Sequence, residues 1–268
     1  MKYPYQRVFQ SRFDKLLRKV PALGKLLSSL FGLIEVHMLE LFRKIDSKYD
    51  TITIARVNRF LFRGRWGGKV VPLNKNIDPD NRFLPTEEIL GLVSRSSVVG
   101  IANCYCRETQ RKYSDHPNCD NPIKTCIHLG FGESLYEIPF RSVNLKKVSK
   151  DQIAALLKES DERGLVHQII YFPSPQFYYV ICNCCPCCCV VLEKFLSIGS
   201  PQMIKSDFIA QTNEDLCNNC GECEQWCYFN ARKIHDCQLS FKSSSCFGCG
   251  LCVSKCPNNA IKLIKSRI

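Results

Sequence analysis

At 268 residues, with 45% hydrophobic content and a formal charge of +12, the chain can bury a real core and is expected to divide into about two or three domains. No run reaches the roughly 20 apolar residues of a membrane span, and the opening MKYPYQRVFQ reads as no signal peptide. The 19 cysteines argue against a secreted disulfide scaffold, because their number is odd and the chain is long for one. Neighbours such as Cys184 and Cys185 also hold their Cα atoms only about 3.8 Å apart, where a bridge prefers roughly 5.5 Å. Thiolate ligation of metal in a reducing cytoplasm is the expected use.

The first third of the chain carries no cysteine. FDKLLRKVPALGKLLSSLFGLIEVHMLELFRKID sets leucines and aromatics at helical spacing among lysines and arginines, which predicts two amphipathic helices broken near Pro21 to Gly24. Their apolar faces are expected to pack into a core, although basic amphipathic helices can also lie on a membrane surface or dock a partner. ITIARVNRFLFRGRWGGKVVPLNKNI follows and predicts short strands with a glycine-rich turn. Its arginines and Trp66 are expected on a solvated basic face, since Gly67 and Gly68 alone make no phosphate cradle.

SSVVGIA reads as a strand that delivers Cys104 and Cys106 in IANCYCRETQ. Cys119 and Cys126 follow in polar, loop-like sequence, and these four thiols could complete a site by themselves. SKDQIAALLKESDERG then offers Ser149 as N-cap, Gln152 three residues on, apolar residues at helical spacing and Gly164 as a stop. A helix of about four turns is predicted there. LVHQIIYF and QFYYVICN read as two strands joined through PSP, a helix-then-hairpin unit that resembles part of a winged helix.

The second of those strands leads into VICNCCPCCCVV, where six thiols crowd around Pro186. Cys182, Cys185 and Cys188 repeat every three residues, as do Cys184 and Cys187, and Pro186 bars a regular helix through the run. The candidate upstream metal ligands are therefore Cys104, Cys106, Cys119, Cys126, Cys182, Cys184, Cys185, Cys187 and Cys188. Crowding keeps all six thiols of the run off a single cube. Two separate cubes, one cube with ligands from both segments, a larger cluster, or structural zinc with His116 or His128 added all fit these spacings. The CYCR and CNCC patterns resemble those of uncharacterised iron–sulfur proteins of anaerobes.

Near the C-terminus the chain reads CNNCGECEQWC from Cys217 and CFGCGLCVSKCP from Cys246, so the spacing C-x₂-C-x₂-C-x₃-C occurs twice. Three thiolates two residues apart wrap a tight loop around one cube, and the fourth starts a helix leading away. Zinc sites instead pair two short knuckles across a longer gap. Residues 207 to 268 resemble the bacterial-type ferredoxin domain with two [4Fe-4S] clusters. The resemblance implies crossed ligation, with Cys217, Cys220, Cys223 and Cys256 on one cube and Cys246, Cys249, Cys252 and Cys227 on the other. Pro257 follows the second run as the family pattern expects, whereas Tyr228 replaces proline after the first. Gly221, Gly248 and Gly250 suit close approach of backbone amides to sulfur. Cys237 sits at no ligand spacing and reads as a small buried hydrophobe.

The expected fold is α+β: a C-terminal dicluster ferredoxin-like domain (207–268) appended to a cysteine-rich α/β module (85–206) and an N-terminal, basic helical region with short strands (1–84). No G-x-G-x-x-G after a strand and no G-x₄-G-K-[ST] is present, so no nicotinamide, flavin or nucleotide site of those types is indicated. His37 and His167 read as core histidines, and no catalytic residue is assigned. The expected function is iron–sulfur electron transfer, to or from a larger oxidoreductase or flavoprotein, by a subunit rather than a stand-alone enzyme. A reductase with a substrate-binding cluster at the upstream cysteines is the alternative. A nucleic-acid-binding regulator ranks last, because no basic recognition helix precedes the hairpin. Two cubes with their thiolates would lower the formal charge of +12 to about +8, which still favours an acidic protein partner, an anionic membrane surface or nucleic acid.

Overall fold

The computed structural model describes residues 65–78, 89–96, 99–113, 119–129, 145–173, 178–200 and 202–266, with isolated positions between 16 and 41. Seven strands build the main sheet: β1 (Gly67–Val70), β2 (Val99–Asn103), β3 (Lys124–Leu129), β4 (Lys146–Lys147), β5 (Val166–Tyr171), β6 (Tyr178–Cys184) and β7 (Met203–Ile204). Their order is β4-β2-β3-β6-β5-β1-β7, antiparallel throughout except for the parallel pair β1 and β7. The longer helices are α1 (Ile89–Arg95), α2 (Tyr105–Tyr113), α3 (Lys150–Glu162) and α4 (Val190–Ile198). In the C-terminal part β8 (Phe208–Thr212) pairs with β11 (Ile261–Lys265), and β9 (Arg232–His235) pairs with β10 (Gln238–Phe241). One-turn helices α5 (Glu222–Gln225) and α6 (Leu251–Ser254) follow the two cysteine loops.

Strand alternation divides the core between the two faces of the main sheet. On one face Ile127, Ile169 and Ile181 pack with Ile89 and Leu92 of α1 and Ile153 and Leu157 of α3. On the other, Val166, Ile170 and Val180 meet Val191 and Leu192 of α4 and Phe247 of the C-terminal part. Each fully buried aliphatic side chain stabilises the fold by roughly 1.5–3 kcal/mol. Because both faces are covered, β5 is buried at every position, the polar His167 and Gln168 included.

Helix α3 forms as its local signals require. Ser149 Oγ accepts from Gln152 N at 3.2 Å, and Gln152 Oε1 accepts from Ser149 N at 2.9 Å, which closes the expected capping box. Gly164 ends it at φ +73°, and a Cβ there would collide with the Trp226 ring. The hairpin β5–β6 is present as expected, but it is no wing: β1 and β3 flank it, so it forms the middle of the sheet.

Other expectations change. Trp66, expected on a basic surface, is 1% exposed, and Gly67 and Gly68 lie within β1 rather than in a turn. Strand β1 itself, assigned above to a separate N-terminal region, is an interior strand of the main sheet. Most of the N-terminal helical stretch, including His37, and the strands expected over 52–64 lie outside the described residues. The described positions there are helical apart from Val20, next to the expected break. Leu16, Val20, Leu23, Leu26, Leu30 and Leu41 are exposed, so core packing is not met at those positions. Among the described residues no helix is long and apolar enough to cross a membrane.

Candidate metal centres

The two C-terminal cysteine runs fold into two loops that line two small cavities. Cys217, Cys220, Cys223 and Cys256 line one of about 20 Å³, and Cys227, Cys246, Cys249 and Cys252 line another of about 20 Å³. The fourth thiol of each run thus turns to the loop of the other. Backbone amides point at the sulfurs: Ala231 N reaches Cys227 Sγ at 3.2 Å, Ala260 N reaches Cys256 Sγ at 3.3 Å and Gly248 N reaches Cys246 Sγ at 3.4 Å. Such donors stabilise thiolate charge. Gly221, Gly248 and Gly250 all adopt positive φ, and a Cβ at Gly250 would strike Asn76 at 2.7 Å. Arg232 is 1% exposed and stands beside Cys223 and Cys252, one thiol from each cavity. Burial works against its charge, but those two thiols more than offset it and raise its pKa. Burial pushes the Cys252 thiol up to about 12 and raises Cys249 and Cys223 too, so a metal must displace protons to bind there.

Ten cysteines lie upstream, and the sheet sorts them. Alternation puts Cys182 and Cys184 of β6 on one face with Cys126 of β3. The β3–β6 register, Ile127 opposite Ile181 and His128 opposite Val180, brings Cys126 opposite Cys182. Strand β2 ends at Asn103 and hands Cys104 and Cys106 to the start of α2, beside them. Cys189 caps α4, its sulfur accepting from Leu192 N at 3.5 Å. These six thiols neighbour one another in a closed ring: Cys104, Cys126, Cys182, Cys184, Cys189, Cys106 and back to Cys104. With Cys185 and Cys188 they line a cavity of about 70 Å³ whose apolar wall includes Trp66, Val190 and Val191. Hydrogen bonds from Cys182 and Cys189 lower Cys184 to about 6, and those from Cys104 and Cys182 hold Cys126 well below the usual thiol range.

The remaining four thiols form a tighter group. Cys119, Cys185, Cys187 and Cys188 place their sulfurs all within 4.8 Å of one another, with Cys119 to Cys185 at 3.8 Å and Cys187 to Cys188 at 3.6 Å. Arg111 of α2 fixes the Cys119 loop by donating to the Cys119 carbonyl at 2.6 Å. The turn at Pro186 folds Cys185, Cys187 and Cys188 back on themselves. A hydrogen bond from Cys188 lowers Cys185 to about 5; burial opposes this and the Arg107 charge assists it.

Arg107 lies between the two upstream groups. It is 0% exposed, and its guanidinium donates to Pro122 O at 2.8 Å, Thr125 Oγ1 at 2.5 Å and Asn183 O at 2.6 Å, all neutral acceptors. Its Nε is buried without a hydrogen-bond partner. Burial opposes its charge, yet Cys104 of the ring and Cys185 of the tight group raise its pKa. Tyr228, in the position where the ferredoxin pattern has proline, lies near Cys249, Cys185 and Cys187. Its hydroxyl donates to Gly164 O at 3.1 Å.

Several sequence-level assignments are revised by this geometry. Cys104, Cys106, Cys119 and Cys126 do not make a site of their own, because Cys119 joins the loop thiols; Cys126 lies in a strand, not a loop. The three-residue repeat of Cys182, Cys185 and Cys188 does not unite them, since Cys182 is on a strand and pairs by alternation with Cys184. Cys189, absent from the candidate ligands, belongs to the ring; its place just before the apolar helical run VVLEKFLSI was the available signal. Arg107 and Arg232 were missed altogether. Cys237 is exposed at φ +60° in the β9–β10 turn, not buried. His128 lines the ring cavity, its pKa lowered by burial, whereas His116 lies outside the described residues. His167 is a core histidine as expected, its Nδ1 2.6 Å from Asn183 Oδ1.

Comparison with protein-family models finds a 4Fe-4S binding domain over residues 240–262, the segment that carries Cys246, Cys249, Cys252 and Cys256. Neither the curated proteins nor the solved structures gave a match. The chain carries a ferredoxin-type iron–sulfur binding segment at its C-terminus, within an α+β fold.

Proposed function

We propose that the protein is an iron–sulfur electron carrier or oxidoreductase subunit that passes single electrons through two C-terminal [4Fe-4S] clusters. The observation that carries this reading is the pair of four-thiol cavities, each built from three thiols of one run and the fourth of the other. Cys217, Cys220, Cys223 and Cys256 would hold one cluster; Cys246, Cys249, Cys252 and Cys227 would hold the other. When bound, the clusters supply one-electron chemistry, while the chain contributes amide donors to sulfur, the buried Arg232 cation and exclusion of water. The ten upstream thiols add at least one further metal centre. No hydride-handling motif accompanies them, so the electrons pass to or from a larger oxidoreductase or flavoprotein in a reducing cytoplasm, and the basic charge suits an acidic face on that partner.

Protein purified without oxygen is expected to hold at least about eight irons and eight acid-labile sulfides per chain, with low-temperature electron paramagnetic resonance of reduced [4Fe-4S] centres. Absence of iron and sulfide would overturn the proposal. One observation favours a second reading, a reductase that binds substrate at an upstream iron: eight cysteines line the ring cavity, more than a single cube uses. Upstream spectra that shift on addition of a disulfide or halogenated compound would support it, and spectra indifferent to such compounds would count against it.

A further inference from the structure

Ten thiols in one module need not serve one metal, and their separations divide them. A single tetrahedral ion with metal–sulfur bonds of about 2.3 Å holds its sulfurs about 3.8 Å apart. The Cys119 to Cys185 and Cys187 to Cys188 separations, 3.8 and 3.6 Å, have that size. A cube spreads its thiolates further, because each binds a different iron. Among the described residues only Cys119, Cys185, Cys187 and Cys188 bring three or more ligand atoms within 4.8 Å of one another, and neither C-terminal quartet does so. The chain thus carries its own standard for what a cube site looks like, and the tight quartet differs from it.

The ring differs in the opposite sense. Its six thiols exceed what one tetrahedral ion can take, and the cavity they line, which Cys185 and Cys188 also border, measures about 70 Å³ against about 20 Å³ at each C-terminal loop pair. That space is several times the roughly 10–15 Å³ that one water-sized group requires. Arg107 supplies an independent observation. Its fully buried guanidinium donates to three neutral oxygens and is charge-paired with the thiols Cys104 and Cys185, one from each upstream group, as a buried charge requires. It lines the ring cavity. Arg232 stands in the same relation to the two C-terminal cavities, buried beside one thiol of each. Two pairs of thiol sites each have one buried arginine between them.

We propose that the upstream thiols form two separate metal centres: a polynuclear iron–sulfur cluster held within Cys104, Cys106, Cys126, Cys182, Cys184 and Cys189, and a single tetrahedral ion, zinc or one iron, on Cys119, Cys185, Cys187 and Cys188. The single ion pins the Cys119 loop to the turn around Pro186. That turn connects β6 to α4 and so fixes the spacing of Cys184 and Cys189, which neighbour each other in the ring. The small site is therefore a clamp that sets the shape of the large one. Arg107 compensates the negative charge of both. The inference rests on reading the chain as an iron–sulfur protein.

The test compares full-length protein, purified without oxygen, with Cys187→Ser and Cys182→Ser. Cys187 is exposed and Cys182 half-buried, so neither substitution opens a large core cavity. Iron, zinc and sulfide are counted, and X-ray absorption reads the neighbours of each metal. The wild type is expected to hold more than about eight irons and one additional ion with four sulfur neighbours and no metal neighbour. Cys187→Ser should lose that ion and keep iron–iron scattering in excess of the C-terminal clusters. Cys182→Ser should fall to about eight clustered irons and keep the single ion. Loss of the same metal by both variants, or about eight irons in the wild type with zinc at both upstream places, would overturn the division and leave the C-terminal clusters untouched. No iron at all would instead sink the iron–sulfur reading itself.

Discussion

Arg107 is the buried cation that adjoins thiols of both upstream groups. Removing a buried charge whose partners stay behind costs about 3–5 kcal/mol, and its three acceptor oxygens would be left unbonded as well. Arg107→Met should therefore lower the urea midpoint markedly and reduce upstream metal content, while the C-terminal cluster signals persist. Arg107→Lys keeps the charge but cannot reach three acceptors, so an intermediate loss is expected. None of this was readable in CYCRETQ, because the acceptors at Pro122, Thr125 and Asn183 lie 15, 18 and 76 residues away. His167 makes a second case. Burial lowers its pKa, with Asp161 opposing and Lys75 assisting, so the folded state keeps it neutral where the unfolded chain, below about 6.5, would bind a proton. Stability contributed by neutral His167 is thus present above about pH 6.5 and declines as pH falls below it. Urea midpoints measured between pH 7.5 and 5.5 should drop less steeply for His167→Gln than for the wild type; equal slopes would assign the pH dependence to other groups.

Elements whose signals are local were legible before the structure: the capping box and Gly164 stop of α3, the β5–β6 hairpin, and the strand before Cys104. The thiol partition was not, because it depends on which strands pair. Cys126 meets Cys182 only through the β3–β6 register, and Cys119 reaches Cys185 across a loop held by Arg111. Helix α4 illustrates the same limit. Its N-cap is a cysteine, whose sulfur is a weak acceptor as a thiol and a better one as a thiolate, so the cap and the ring share one atom. Cys189→Ser keeps a capping oxygen and should preserve α4 while loosening the upstream cluster. Cys189→Ala removes both and should cost about 1 kcal/mol more. Comparing the two by amide exchange over residues 190–198 separates helix capping from metal ligation; identical exchange in both variants would show that the sulfur cap contributes nothing to the helix.

Across the whole molecule, the C-terminal part sits on the end of α3, and the contacts give Tyr228, which follows the first cysteine run, a role there. Lys255 Nζ donates to Glu162 O at 2.6 Å, at the negative end of the α3 dipole, and also lies 4.5 Å over the Trp226 ring. Asp161, 1% exposed, takes Lys75 at 2.8 Å and Ser254 Oγ at 3.2 Å. Trp226 rests against Gly164, where there is no Cβ to hold it off, and the Tyr228 hydroxyl bonds the Gly164 carbonyl. Proline at 228 could not make that hydrogen bond. Tyr228 therefore serves docking, and it lies near both Cys249 of one candidate cluster and Cys185 and Cys187 of the upstream quartet. Gly164→Ala combines a positive φ with a clash against Trp226 and should destabilise the protein by about 1–3 kcal/mol. Tyr228→Pro leaves all eight C-terminal thiols in place, so iron content at the C-terminal clusters should stay near wild type. Its effect should fall on the seam: faster amide exchange at 161–165, and slower transfer of electrons from the C-terminal clusters to the upstream cluster in rapid-freeze experiments. Unchanged exchange and unchanged transfer in Tyr228→Pro would mean that the tyrosine neither seats the C-terminal part nor lies on a route between centres.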